Sequence, residues 1–378
     1  MRAEVVDLFC GIGGLSAGFR SEGFDVVAGI DLDGTCRYAY ERNIGARFIA
    51  GDLGDVSVDE IAALYSGTAR RVLVGCAPCQ PFSMYTGRYR KAPDVAPADL
   101  RWRLLEEFAR IIEGLKPDVV SMENVPRVAL HPVFAEFVER LRNAGYHVRY
   151  DKVRADHYGV PQKRARLVLL ASLHGHVELV PPTHRKHPRT VRDAIGDLPA
   201  LVAGVPDSTD RLHVTRGLSE KNLSRIRSTK EGGSWRDWSS DLKLDCHKKA
   251  GGESFRAVYG RMSWDEPSPV ITTQCLGIGN GRFGHPVQDR AISIREASLL
   301  QSFPADFEFV GPDEPVNQLR LSRQIGNAVP VRLAGAIAQS IQQHLTAIPV
   351  PMPKSPKSRI RRQLKWTNGW VRPSFKRH

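Results

Sequence analysis

Acidic residues are in short supply in this 378-residue sequence: 41 Asp and Glu face 54 Lys and Arg, a formal net charge of +13. Such an imbalance favours a polyanionic partner, because each cation placed on a phosphate releases condensed counterions. Cysteine is sparse as well. The six present (Cys10, Cys36, Cys76, Cys79, Cys246 and Cys275) are scattered without the spacing of a disulfide framework. Cys76 and Cys79 alone form a close pair, GCAPC, which opens a redox or a zinc reading. A second close pair to complete a zinc site is missing, so no metal is expected. Apolar runs approaching the ~18 residues of a membrane span are absent. The opening MRAEVVDLF has no basic-then-apolar leader pattern. These absences point to a cytosolic protein of a reducing compartment, long enough for one large core with or without a smaller domain.

Residues 1–177 alternate strand-like and helix-like segments. EVVDLF, DVVAGIDLD, RVLVGCA, DVVSMENV and RARLVLLAS read as buried strands, and LSAGFRSEG, TCRYAYERN and EFARIIEGL as helices. That alternation predicts an α/β fold with a parallel sheet covered by helices on both faces. Over 178–290 the texture changes. PPTHRKHPRT and KEGGSWRDWSSDLKLDCHKKAGGES are rich in Pro, Gly, Ser and basic residues and lack periodicity, as a separate irregular basic module would. Helical patterns return over 291–347 in SIREASLLQSF and VRLAGAIAQSIQQHL. The remainder, 348–378, is a basic tail: residues 353–378 carry nine Lys or Arg and no acid, and are expected to stay disordered or to order against nucleic acid.

DLFCGIGG (Asp7–Gly14) follows a strand and opens a helix, as a nucleotide-binding turn must. Gly11, Gly13 and Gly14 let a ligand approach the backbone, and the helix start favours negative charge. About 20 residues on, at the next strand end, an acid can accept from ribose hydroxyls. Asp31 occupies that place, with Asp33 as a second choice, and Asp52 one strand later can accept from an adenine amino group. This spacing does not separate S-adenosylmethionine from a dinucleotide.

Pro-Cys-Gln-Pro-Phe-Ser directly follows the RVLVGCA strand, which sets it at the carboxyl edge of the sheet, where open α/β folds keep their sites. Pro78 and Pro81 stiffen the turn that presents the Cys79 thiol. A further strand ends in Glu123-Asn124-Val125, and another is expected to end in Gln162-Lys163-Arg164-Ala165-Arg166. A thiol, a carboxyl group and a guanidinium at one edge suit attack on an electron-poor ring. A cation near the thiol favours thiolate, the carboxyl group handles a proton on a ring nitrogen, and an Arg fixes both carboxylate and ring carbonyl.

In this order, DLFCGIGG, GDL, GCAPCQPFS, ENV, QKRARLVLLAS, RMSWDEPSPVITT, SIREASLLQSFP and RQIGNAVP, the sequence resembles the bacterial DNA (cytosine-5) methyltransferase family over residues 5–345. The resemblance implies a Rossmann-like S-adenosyl-L-methionine-dependent catalytic domain. A smaller, irregular, mostly β target-recognition domain with its hinge would lie over 178–290, and 291–347 would return to the catalytic domain. It implies that Asp7, Phe9, Gly11, Gly13, Gly14, Asp31, Asp52 and Pro78 bind the cofactor. Phe9 would lie on the adenine, and Asn327 and Val329 would close the pocket. It also implies catalysis on a cytosine flipped from the duplex. Cys79 would add to C6, Glu123 would protonate or hold N3, and Arg166, with Arg164 close behind, would orient base and carboxylate. Cys76 occupies a variable place in the family, which speaks against the redox reading. The family often has Pro where Ala77 stands and an aromatic residue where Leu32 stands.

Double-stranded DNA is the implied partner and a monomer the acting form; restriction–modification with a cognate restriction endonuclease and solitary methylation both stand open as the biological role. Between Cys79 and Glu123, Ser83, Tyr85, Arg88, Arg90 and Arg101 are candidates for DNA contact, Tyr85 as a wedge and the Arg residues on phosphates. In the basic module the candidates are His184, Arg185, Lys186, Arg189, Arg225, Arg227, Lys230, Trp235, Arg236, Trp238, Lys248 and Lys249. Three alternatives stand beside this reading: a tRNA cytosine-5 methyltransferase with the same chemistry, an inactive DNA-binding relative, and a nicotinamide oxidoreductase. The second would predict loss of Cys79 or Glu123. The third leaves PCQPFS unexplained.

Overall fold

The computed structural model describes residues 2–77 and 103–348. Strands β1 (Ala3–Leu8), β2 (Asp25–Asp31), β3 (Arg47–Ala50), β4 (Arg70–Gly75), β5 (Val119–Asn124), β6 (His147–Arg154) and β7 (Ala165–Ser172) form one sheet in the order β3-β2-β1-β4-β5-β7-β6. The first five pair in parallel, as the alternation of elements predicts. β7 differs: it runs antiparallel to both β5 and β6, so the sheet is mixed.

Near-continuous Val and Leu runs suit strands buried on both faces. Alternate residues serve opposite sides: Val5, Val72, Val74 and Val119 join one apolar core, and Val6, Leu73 and Val120 the other. The first core is closed by α1 (Gly14–Ser21), α2 (Arg37–Ile44) and, from the far end of the chain, α9 (Ile294–Leu300), α10 (Gln318–Asn327) and α11 (Val331–Ala347). The second is closed by α3 (Val58–Ala62), α4 (Arg103–Leu115) and α5 (Pro132–Asn143). In α4, Leu105, Phe108, Ile112 and Leu115 recur at helical spacing and form the buried stripe. α1 and α11 meet without room for side chains: a Cβ on Gly14 would lie 2.4 Å from the Val329 carbonyl oxygen, and one on Gly18 2.4 Å from the Ala334 Cβ.

The module expected to be mostly β carries short helices instead: α6 (Val191–Ile195), α7 (Glu220–Arg227) and α8 (Asp245–Lys248). Among its described residues β structure is reduced to isolated bridges, such as Gln162 with Ser268 and Arg261 with Gly284. Arginines take over the carbonyls a ladder would have satisfied. The buried Arg261 donates to the carbonyl oxygens of Ile226 (2.9 Å), Thr229 (2.7 Å) and His285 (2.9 Å). A ring stack replaces a sheet core, with Trp235 lying on His247 at 4.2 Å and Tyr259 edge-on to Trp238.

Candidate active site

A cleft opens at the carboxyl edge of β1, β2 and β4, lined in part by Phe9, Gly11, Asp31, Cys76, Asn327 and Val329. β1 ends at Leu8, and Phe9 then adopts φ +61°, a left-handed conformation rare for a bulky residue. Such strain persists where surrounding structure holds it, here with the Phe9 ring edge-on to Phe108 at 6.3 Å. Gly11, at φ +51°, lets the chain turn, and nothing lies within 4 Å of where its Cβ would be, so the turn is an open cradle. Asp31 holds that cradle in place. Its carboxylate accepts from Gly11 N at 2.8 Å and from Asp33 N at 2.8 Å. Burial raises its pKa above the usual range, against the pull of those two donors.

The opposite wall comes from α10 and the residues after it. Arg323 Nη2 donates to Asp33 at 2.9 Å, and Gln324 Nε2 donates to Thr35 Oγ1 at 2.9 Å. Both Arg323 and Gln324 line the cleft and were missed from sequence, although Arg323 lies four residues before Asn327 on the same helix face. An aromatic ring, an open glycine turn and two carboxylates with spare lone pairs suit an adenosyl group with a ribose diol and a nearby cation. The cofactor implied by the sequence resemblance therefore fits these residues.

Three expected cofactor residues do not line the cleft. Gly13 packs beneath it, at φ +89°, where a Cβ would meet Ile44 at 3.0 Å. Asp52 is exposed and accepts from Gly54 N at 2.9 Å, capping a turn after β3. Asp7 is fully buried under the turn, its Oδ2 accepting from Ser16 Oγ at 2.6 Å while Oδ1 has no hydrogen-bond partner. Burial pushes the Asp7 carboxyl up to about 7, opposed by the Ser16 hydroxyl and aided by the Asp31 charge. The folded state therefore keeps a proton that the unfolded chain sheds from about pH 4 upward, so Asp7 makes stability fall as pH rises from about 4 to about 7. Asp7→Asn is expected to lack that fall and to gain on the wild type by about 3 kcal/mol between pH 5 and pH 8. Urea denaturation across that range checks it, and parallel profiles would remove Asp7 as the titrating group.

Two members of the expected catalytic set, Glu123 and Arg166, are brought together by sheet register. Glu123 closes the carboxyl end of β5, and Arg166 stands near the amino end of β7. Sequence reading placed a strand end at Gln162–Arg166. A strand begins there, and its antiparallel course delivers Arg166 to the same edge. Arg166 Nε lies 2.7 Å from Glu123 Oε1, and the carboxylate is 3% exposed. Cys76 Sγ donates to the other oxygen, Oε2, at 3.1 Å. Asn124 fixes the approach to the nucleophile turn, its Nδ2 donating to the Ala77 carbonyl at 3.1 Å. Arg164 makes other contacts: its guanidinium donates to the carbonyl oxygens of Ile271 (3.1 Å) and Gly326 (3.3 Å), which ties the start of β7 to α10 and to the end of the module. Pro78, Cys79, Ser83, Tyr85, Arg88, Arg90 and Arg101 lie outside the described residues.

Of the module's candidates for DNA contact, Arg225 is buried at 5% exposure. It donates to the Leu242 carbonyl at 3.0 Å and lies over the Trp238 and Tyr259 rings, so it serves the ring stack and not a surface. Trp235 and Trp238 are buried with it. Arg227 and Arg236 remain accessible, with 62% and 43% of their side chains exposed, although each faces an acid, Asp289 and Glu253. Among the described residues no group of three His, Cys, Asp or Glu is placed to hold a metal, and no helix is long and apolar enough to cross a membrane.

Known proteins are similar to this chain over most of its length. A Type II methylase of Herpetosiphon aurantiacus, M.HgiDII, is 48% identical over 352 residues, 92% of this chain and 97% of that protein. The Type II methyltransferase M1.HphI of Haemophilus parahaemolyticus is 32% identical over 349 residues, 90% and 87% of the two chains. A solved structure of a putative DNA modification methyltransferase from an Escherichia coli prophage superposes with a TM-score of 0.70 at 22% identity, covering 91% of this chain and 99% of that one. That likeness speaks for the fold. Residues 3–343 match a single family from the first strand to the last helix, and the chain accordingly belongs to the C-5 cytosine-specific DNA methylases.

Proposed function

We propose that this protein transfers a methyl group to carbon 5 of a cytosine turned out of duplex DNA, with Cys79 as the nucleophile. The observation that carries the reading is the buried Glu123–Arg166 pair at the sheet edge, joined by the Cys76 thiol to the lining of the cofactor cleft. S-adenosyl-L-methionine, when bound, supplies a sulfonium-activated methyl group for C5 and leaves as S-adenosyl-L-homocysteine. Phe9, Gly11, Gly14, Asp31, Asn327 and Val329 would hold it.

Cys79 attacks as thiolate at C6 and breaks the aromatic 5,6 double bond. Glu123 holds or gives a proton at N3, so that the incoming electron pair is not stranded as charge on the ring. That pair makes C5 nucleophilic. Loss of the C5 proton to solvent then returns electrons to the ring and expels Cys79 as thiolate, and the N3 proton goes back to Glu123, so that the product is neutral and both groups are restored. Arg166 keeps Glu123 in place through the Nε contact and can reach the ring carbonyl with its remaining donors. Positive charge in the module and in the tail supplies phosphate affinity without a sequence code. The Type II names of the relatives favour a modification enzyme working opposite a cognate restriction endonuclease; a cytoplasmic monomer is the form in which we read it to act.

The test is transfer of tritiated methyl groups to duplex DNA and to tRNA in parallel, with bisulfite sequencing of DNA from an expressing host. We expect label in DNA as 5-methylcytosine in one fixed sequence context. Label in tRNA alone, or unmodified host cytosines under good expression, overturns the reading. Full turnover by Cys79→Ser removes that residue as nucleophile.

A further inference from the structure

The geometry points to Cys76 as a positioning residue that sets the orientation of the Glu123 carboxyl group and bridges it to the cofactor cleft. The inference rests on the reading above, in which Glu123 handles the N3 proton.

The contact follows from sheet register. β4 and β5 pair in parallel with Gly75 opposite Met122, so the next residues, Cys76 just past β4 and Glu123 within β5, stand side by side. The Cys76 N–H donates to the Leu8 carbonyl at 3.3 Å, which extends the β1–β4 ladder by one step and fixes the thiol's height above the sheet. Sγ then lies 3.1 Å from Glu123 Oε2 while Arg166 Nε holds Oε1 at 2.7 Å. Each carboxylate oxygen thus has its own neighbour: Oε2 accepts from the thiol, and Oε1 is ion-paired with the guanidinium without a hydrogen bond. The Cys76 side chain is half-buried and also lines the cleft beside Phe9, Asp31 and Val329, so it forms the wall shared by cofactor and carboxyl group.

A thiol suits that place better than a stronger donor. A second cation on Oε2 would hold the carboxylate firmly in its charged form and oppose proton uptake. A thiol is a weak donor and also a weak acceptor. It can donate S–H to the ionised Oε2 and accept O–H from the protonated one, so the contact survives a proton cycle that would break a guanidinium contact. The rotamer of Glu123 is then the same before and after it handles the proton.

Two readouts test this on the full chain. Cys76→Ala is expected to lower kcat about tenfold, with KM for DNA and affinity for S-adenosylhomocysteine within about twofold of wild type. Cys76→Ser, which keeps a two-way hydrogen-bonding group, is expected to recover most of that loss. Independently of activity, the infrared S–H stretch that Cys76→Ala removes should lie at the low frequency of a thiol bonded to carboxylate and move upward in Glu123→Gln. Wild-type kcat in Cys76→Ala, or an S–H band indifferent to Glu123→Gln, overturns the positioning role. A wild-type protein that shows the band but transfers no methyl group to DNA refutes the functional reading instead.

Discussion

Glu123→Gln is expected to slow methyl transfer about a thousandfold in single-turnover assays, while cofactor affinity stays within about threefold of wild type. The amide has the carboxylate's size and can offer its oxygen to Arg166 and its nitrogen to Cys76, so the buried edge stays packed. What it cannot do is carry a proton to and from N3 of the base. Positioned acid–base groups contribute about 10²–10⁴ in rate, and the electron flow into the ring here depends on that proton. Affinity is insulated because Glu123 itself does not line the cleft; only its neighbour Cys76 does. Alanine would be the poorer probe. It leaves the Arg166 guanidinium, 10% exposed, buried beside an empty place, and breaking a buried pair this way costs about 3–5 kcal/mol of stability. A glutamine variant within tenfold of wild type would take the proton role away from Glu123.

The largest stability loss is expected from Glu296→Ala. Arg290 donates through Nη1 and Nη2 to the two Glu296 oxygens, both at 2.7 Å, and the Ser293 N–H donates to the same carboxylate at 2.7 Å. Both side chains are 1% exposed. His285 stands alongside, where burial holds it down at about 4 and hence neutral at neutral pH, so it offers Arg290 no competing charge. The pair spans six residues of chain and locks the approach to α9, whose first turn Ser293 caps. Removing one partner strands a buried charge and should cost about 3–5 kcal/mol, a large part of a total of about 5–15 kcal/mol. Arg290→Met with Glu296→Leu removes both charges and should recover much of that loss. Urea denaturation of the two single variants and the double variant checks it; a single-variant loss under about 1 kcal/mol would show that solvent reaches the site.

How much of this was legible depended on whether a feature is local. The turn from Phe9 to Gly14, Asp31 at the next strand end and Glu123 after DVVSMEN each announce themselves within a few residues, and the structure puts all of them at one sheet edge. β6, HVRYDKVR, escaped notice because an exposed edge strand carries charge where a buried one carries Val and Leu. Strand direction escaped too: RARLVLLAS reads the same whichever way it runs, so the antiparallel course of β7 appears only once β5 and β6 are beside it. Burial of cations misled most. Arg225 reads in sequence as a DNA contact and Arg164 as a companion of Arg166 at the base, yet each is held by carbonyl groups or rings contributed by residues far along the chain. The same exchange of arginine for ladder left the module without the strands expected of it.

Phe9 and Val329 face one cleft across 320 residues of chain, since 329 − 9 = 320. A ribosome adding roughly 5–20 residues per second needs about 16–64 s to travel that distance. Throughout that interval the nascent chain can already fold its first strands, but it has no second wall for a cofactor and no finished site with which to modify DNA. Activity therefore arrives late and all at once during synthesis. A chain cut short before α10 is expected to be silent, not a weaker or less selective methylase.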